Sequence, residues 1–247
     1  MKTIDIPAQT HPWSTVLAVA QHFSCDEWML AGGLMVQAHA ILHGLNSRAT
    51  TDADFLLDFL TYERIASQMA RYLGDMGFKL SEDSLTGYAT RLENPSHSRV
   101  DVLVTDYVYG KKKRENAFLA GKPLCRMPAG GQALARKTRI RIRYEDIVET
   151  IQIPDVLGAV MLKSAAWDVD KTARRYRHLS DAALLLSLMD FPETQVERLH
   201  SPNDRRRILR LHELLTIDSD YWDDLDLSHR QNGLDALDTL TDWAQNQ

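Results

Sequence analysis

Residues 28–58 constrain this chain more than any other stretch; they read WMLAGGLMVQAHAILHGLNSRATTDADFLLD. An apolar run ends at Gly32-Gly33. A helical pattern follows and stops at His43-Gly44. A short polar loop then leads into Asp52-Ala53-Asp54 and Phe55-Leu56-Leu57. This order predicts strand, glycine turn, helix, loop, strand. A Gly-Gly turn at a helix start lets backbone N–H groups approach a phosphate with no side chain in the way. Residues i and i+2 of a strand share a face, so Asp52 and Asp54 should project together. Two adjacent carboxylates repel unless a cation lies between them, and oxygen-only ligation suits Mg²⁺. Taken singly, Gly-Gly is a turn and Asp-x-Asp a solvated edge. In this order they make a phosphate cradle facing a metal-binding pair, which is the equipment for phosphoryl or nucleotidyl transfer.

Around this stretch the pattern alternates between helix and strand. Residues 1–11 read as an extended lead-in, and Pro12 and Ser14 open a helix through Phe23. Gln37, His39 and His43 on the next helix read as surface or capping residues. Arg48 either pairs with the carboxylates, reaches a triphosphate with its bidentate fork, or clamps the loop. Residues 62–76 have helical spacing that stops at Gly77. Strand-like pieces follow at 78–80 and 88–92, then Val100-Asp101-Val102-Leu103-Val104. Asp101 in that β-branched run needs a partner or a metal unless it faces solvent.

Residues 111–143 carry many cations, including Lys111, Lys112, Lys113 and Arg114, against Glu115 alone. Within them Arg139, Arg141 and Arg143 alternate with isoleucines, as on a strand with one charged face. That face can hold an RNA backbone or a triphosphate, or it can be the charged side of a solvated edge strand. A helix then opens at Pro154-Asp155, with Lys163 inside its apolar pattern. On residue chemistry alone Lys163 reads as a snorkelling surface lysine and Asp181 as a carboxylate near a helix N-terminus. The tail carries Arg205-Arg206-Arg207, then Asp218, Asp220, Asp223, Asp224 and Asp226 around Tyr221 and Trp222. It shows no chemistry motif and reads as a solvated helical cap, the alternative being an acidic aromatic docking surface.

At 247 residues the chain is long enough for one large domain or two small ones. A formal net charge of −5 argues against a uniformly basic nucleic-acid coat. The two cysteines, Cys25 and Cys125, form neither a CxxC pair nor a zinc spacing, so a reducing cytoplasm is the expected compartment. The start shows no signal-peptide pattern, and no run approaches the ~20 apolar residues of a membrane span.

The stretch from Gly32 to Asp54 resembles the nucleotidyltransferase superfamily of the DNA polymerase β type. More narrowly, Arg48-x-Thr50-x-Asp52-x-Asp54 resembles the AbiEii group, the nucleotidyltransferase toxins of type IV toxin–antitoxin systems, which include the MenT toxins. The likeness covers roughly residues 28–190 and leaves the last quarter of the chain unassigned. It implies an α/β (α+β) fold, with a mixed sheet flanked by helices and an α-helical C-terminal region. We expect a nucleotidyltransferase core over residues 1–150 and a helical region over 151–247, with the active site in a cleft between them. The resemblance makes Asp101 the third carboxylate of the metal site. It places Lys163, in Lys163-Ser164-Ala165-Ala166, on the nucleotide phosphates, and Asp181 in the active-site network. The commoner form before that Asp is Arg-Asp-x-x-Asp, where this chain has His178-x-x-Asp181. The implied reaction moves NMP from an NTP to an RNA acceptor such as a tRNA 3′ end, with Mg²⁺ as cofactor and a cognate antitoxin as partner. Other acceptors, a protein or an aminoglycoside-like hydroxyl, and a non-catalytic nucleotide- or RNA-binding role are the alternatives.

Overall fold

The computed structural model describes residues 1–81, 88, 91–106 and 118–246. They form two compact units, one of residues 1–38 and 48–154, the other of residues 39–47 and 155–247. The basic run Lys111, Lys112, Lys113 and Arg114 lies outside the described residues.

The first unit begins with β1 (Thr3–Asp5), α1 (Trp13–His22), β2 (Trp28–Leu30) and the start of α2 (Gly32–Leu42). Next come β3 (Asp52–Leu57), α3 (Ile65–Asp75), β4 (Lys79–Leu80), β5 (Arg91–Glu93) and β6 (Arg99–Thr105). It closes with β7 (Phe118–Leu119), β8 (Lys122–Pro123), β9 (Cys125–Met127), α4 (Gly130–Ala135), β10 (Lys137–Tyr144) and β11 (Ile147–Pro154). The main sheet runs β2-β3-β6-β5-β4, and β9 pairs with β6 beyond the end of β5. β3 and β6 are parallel, whereas β2 on β3 and β5 on β6 are antiparallel.

The alternation in β3 and β6 explains the sheet's two faces. Ala53, Phe55, Leu57, Val100, Val102 and Val104 are buried on one side. Asp52, Asp54, Arg99 and Asp101 stand on the other, half-buried, at the N-terminal ends of the two strands. Further along, Leu56 and Leu103 close that second face with apolar side chains. The polar face is therefore confined to the strand beginnings. Burying a Leu or Phe side chain stabilises by about 1.5–3 kcal/mol, so the apolar side fixes the register that aligns the acids.

A second sheet runs β1-β10-β11. β10 is its middle strand, so the edge-strand reading of Arg139–Arg143 does not hold. Ile140 and Ile142 are buried, and the alternate arginines face out.

The second unit holds α5 (Val156–Val169), α6 (Arg177–Ser187), α7 (Pro192–Val196), α8 (Pro202–Leu214), a 3₁₀ turn (Asp220–Trp222) and α9 (Leu227–Gln245). Asp155 caps α5 by accepting from Gly158 N at 2.9 Å. Every residue from Leu157 to Ala165 is buried, as expected of a helix that is apolar on all sides. Ser201 and Asp204 form a reciprocal capping box on α8, with Pro202 in its first turn. Trp222 is fully buried, and its Nε1 donates to the Thr216 carbonyl at 3.0 Å. A Cβ on Gly233 would sit 2.6 Å from the Trp222 ring, so α9 needs glycine at that crossing. Trp222 thus belongs to the core rather than to an acidic aromatic surface, and Asp226 caps α9. Among the described residues, no helix is long and apolar enough to cross a membrane.

Candidate active site

The glycine turn is pressed directly onto the Asp-x-Asp strand. Ala31 N donates to the Asp54 carbonyl at 2.9 Å, which ties the end of β2 to β3. Gly32 has φ +63, and a Cβ there would lie 1.7 Å from Asp54 Oδ2. A Cβ on Gly33 would lie 2.7 Å from Thr50 Oγ1 and 3.3 Å from an Arg48 nitrogen. Both glycines are required by the side chains opposite them, and their bare backbone lines the acids.

The loop before β3 is held from several sides. Trp13 Nε1 donates to Gln37 Oε1 at 3.2 Å, and Gln37 Nε2 donates to the Arg48 carbonyl at 3.1 Å. Gln37 is therefore a partly buried clamp rather than a surface residue, and His39 is buried as well. His11 Nε2 donates to the Thr51 carbonyl at 3.0 Å, and its Nδ1 meets Thr15 Oγ1 at 2.9 Å. Burial pushes the His11 imidazole below its ordinary pKa, against backbone hydrogen bonds at Thr51 and Arg99 and the Asp52 charge. Nothing in the spacing of the lead-in marked His11 as a neighbour of Asp52.

The strand register sets out the charges as a grid. Asp54 on β3, Asp101 on β6 and Arg91 on β5 are directly opposite one another, strand to strand. One row away, Asp52, Arg99 and Glu93 repeat the arrangement. Facing residues on neighbouring strands share a side of the sheet. Arg91 forks onto Asp101, with Nε to Oδ1 at 2.9 Å and an Nη to Oδ2 at 2.7 Å. Arg99 and Glu93 approach to 3.9 Å. The fork onto Asp101, together with the charges of Asp101, Asp52 and Asp54, raises the Arg91 pKa above the usual guanidinium value. Arg91 is the functional candidate that the sequence did not reveal. The strand that carries it has only three residues, and its pairing partner is not inferable from spacing.

Asp52 and Asp54 are thus brought together, beside a bare-backbone turn and under the field of a nearby guanidinium. Two carboxylates on one face, with Asp52 half-exposed, are the donor set that Mg²⁺ accepts alongside substrate phosphate and water. Among the described residues, no three His, Cys, Asp or Glu side chains already converge as a ligand cluster. Arg139 pairs with Asp26 at 2.6 Å and Arg143 with Asp5 at 2.5 Å, so each of these cations already has a carboxylate on it. Arg141 stands between them on β10.

Lys163 and Asp181 belong to the helical unit. Lys163 Nζ meets Asp181 Oδ2 at 2.8 Å, with side chains only 5% and 2% exposed. The lysine does not snorkel, and Asp181 sits inside α6 rather than at its first turn. His178 lies beside this pair, with Nε2 3.0 Å from Asp170 Oδ2. Among the described residues its Nδ1 is buried without a hydrogen-bond partner. Burial and the Lys163 charge push the His178 pKa down to about 4, against the pull of Asp170. The native state therefore prefers neutral His178. Its stabilising effect is complete above the ordinary value near 6.5 and is lost as pH falls toward about 4. Unfolding by urea at pH 7 and pH 4.5 should show a loss of roughly 1–2 kcal/mol from this group, after discounting for partial solvation. His178→Gln should remove that part of the pH slope.

No family model matches the chain, and no curated protein matches it in sequence. A crystal structure of an antigenic nucleotidyltransferase-like protein from Paracoccidioides brasiliensis resembles it in fold, with a TM-score of 0.50. The match covers 92% of this chain and 91% of that one at 13% identity. The chain thus has a nucleotidyltransferase-like mixed α/β fold with a helical C-terminal region.

Proposed function

We propose that this protein is a Mg²⁺-dependent nucleotidyltransferase of the AbiEii toxin kind, transferring NMP from an NTP to an RNA acceptor. One observation carries the reading. Asp52 and Asp54 share the polar face of β3, and Gly32 lies so close to Asp54 that no side chain fits between them. Asp52 and Asp54 would hold the metal, which when bound polarises the phosphates and the attacking oxygen. The Gly32-Gly33 backbone offers unobstructed donors to the β- and γ-phosphates. The guanidinium of Arg48 lies beside Gly33, where it can neutralise charge growing on the departing pyrophosphate. The acceptor hydroxyl oxygen bonds to the α-phosphorus as the bond to pyrophosphate breaks, and the hydroxyl proton leaves to water. The roles of an RNA acceptor, a tRNA 3′ end among them, and of a cognate antitoxin come from the sequence resemblance.

The acceptor class is tested by incubating the full chain and Mg²⁺ with α-labelled NTPs and, separately, total tRNA, a protein extract or an aminoglycoside. Label on tRNA is the expected result. Label on protein or antibiotic alone would move the chain to another branch of the superfamily. Mg²⁺-dependent NTP binding with no transfer to any acceptor would overturn the enzymatic reading.

A further inference from the structure

Asp101 and Arg91 raise a question that the transfer reaction leaves open. A third carboxylate beside Asp54 would crowd three negative charges onto one small area, and the structure answers with a guanidinium. Asp101 lies opposite Asp54 on one side and opposite Arg91 on the other. Both of its oxygens are engaged by the Arg91 fork, at 2.9 and 2.7 Å. The Asp101 side chain is 13% exposed, whereas that of Arg91 is 40% exposed. The carboxylate is the buried anchor and the guanidinium is the solvent-facing member.

A guanidinium has two edges. One edge, Nε and an Nη, is committed to Asp101; the remaining N–H groups point elsewhere in a fixed plane. Bidentate pairing removes rotamer freedom, so the outer edge is preorganised for a second anion. The Asp52 and Asp54 charges also act on Arg91, which places it within electrostatic reach of the proposed metal pair.

We propose that Arg91 is a phosphate-binding residue of the nucleotide site and that Asp101 is its positioning residue, not a metal ligand. The metal is then held by Asp52 and Asp54 alone. Arg91 supplies at the third position the positive charge that a second metal would otherwise bring. This inference rests on the nucleotidyltransferase reading.

The test uses the full chain and two binding measurements, with no turnover required. The first is Mn²⁺ binding followed by electron paramagnetic resonance. Asp54→Asn should weaken it by about tenfold or more, since an ion loses a charged ligand, whereas Asp101→Asn should leave it within about twofold. The second is binding of each NTP and of the matching nucleoside without metal. Arg91→Ala and Arg91→Lys should both weaken the triphosphate by about tenfold and leave the nucleoside unchanged, because lysine cannot reproduce the fork. Asp101→Asn should show part of the same triphosphate loss, which a merely structural carboxylate would not. Circular dichroism and thermal melting identify any variant that has not folded. Arg91→Met then serves as the second variant, since it removes the fork while keeping the aliphatic stem. If Asp101→Asn loses Mn²⁺ as Asp54→Asn does, or if Arg91→Lys binds NTP like wild type, the inference is overturned and the transferase reading survives. A wild-type chain that binds neither Mn²⁺ nor NTP overturns both.

Discussion

Gly32→Ala should destabilise the protein by roughly 2–5 kcal/mol, combining the cost of a left-handed backbone with overpacking against a side chain that cannot retreat freely. That is a large part of the 5–15 kcal/mol typical of a folded domain. The new methyl would meet Asp54 Oδ2 at 1.7 Å and Asp54 Cβ at 2.9 Å, so either the strand or the turn must shift. Gly44 supplies the control. It has φ +71 and nothing within 4 Å of an added Cβ, so Gly44→Ala bears the backbone cost alone, about 1 kcal/mol. Adding Asp54→Ala to Gly32→Ala should recover part of the loss, because the atom in the way is gone. Urea midpoints for wild type, Gly32→Ala, Asp54→Ala and the double variant form a double-mutant cycle. Additive effects would mean that residues 32 and 54 do not touch.

The second large effect concerns Lys163. Removing one member of a buried ion pair takes the countercharge from the other, which costs about 3–5 kcal/mol. Lys163→Ala should fall in that range because Asp181 is 2% exposed and cannot recover hydration without opening the helical unit. Lys163→Met combined with Asp181→Leu replaces both charges by apolar groups of similar volume and should regain most of the loss. Denaturant unfolding measures both variants against wild type. A Lys163→Ala cost below about 1 kcal/mol would show that the pair is open to solvent.

The order strand, glycine turn, helix, Asp-x-Asp strand was readable because each step has its own short-range physics. Alternation puts Asp52 and Asp54 on one face, and the 3.6-residue period buries Ile65, Met69 and Leu73 of α3. What could not be read depends on which distant segments meet. The Arg91–Asp101 fork exists because β5 pairs with β6; a strand-like piece at 88–92 was readable, but the strand it pairs with was not. Gln37 looked like a surface amide because its partners, Trp13 and the Arg48 carbonyl, come from both sides in sequence. Arg139 and Arg143 looked like a free basic face because Asp26 and Asp5 lie more than a hundred residues earlier in sequence. Trp222 looked exposed amid aspartates, yet it is fully buried, with Gly233 pressed against its ring. Lys163 was a similar case. Its long stem suggested a lysine snorkelling to the surface, but the fold buries it against Asp181, a partner eighteen residues on that spacing does not reveal.

Nucleotidyl transfer is distinguished from other phosphoryl chemistry by where the label goes. Wild type and Asp54→Asn should each be incubated with Mg²⁺, total tRNA and an NTP labelled at either the α- or the γ-phosphate. The expected result is α-label on the acceptor, γ-label released in pyrophosphate, and a loss of at least about a hundredfold in Asp54→Asn. Transfer of γ-label, or an Asp54→Asn variant as active as wild type, would contradict it.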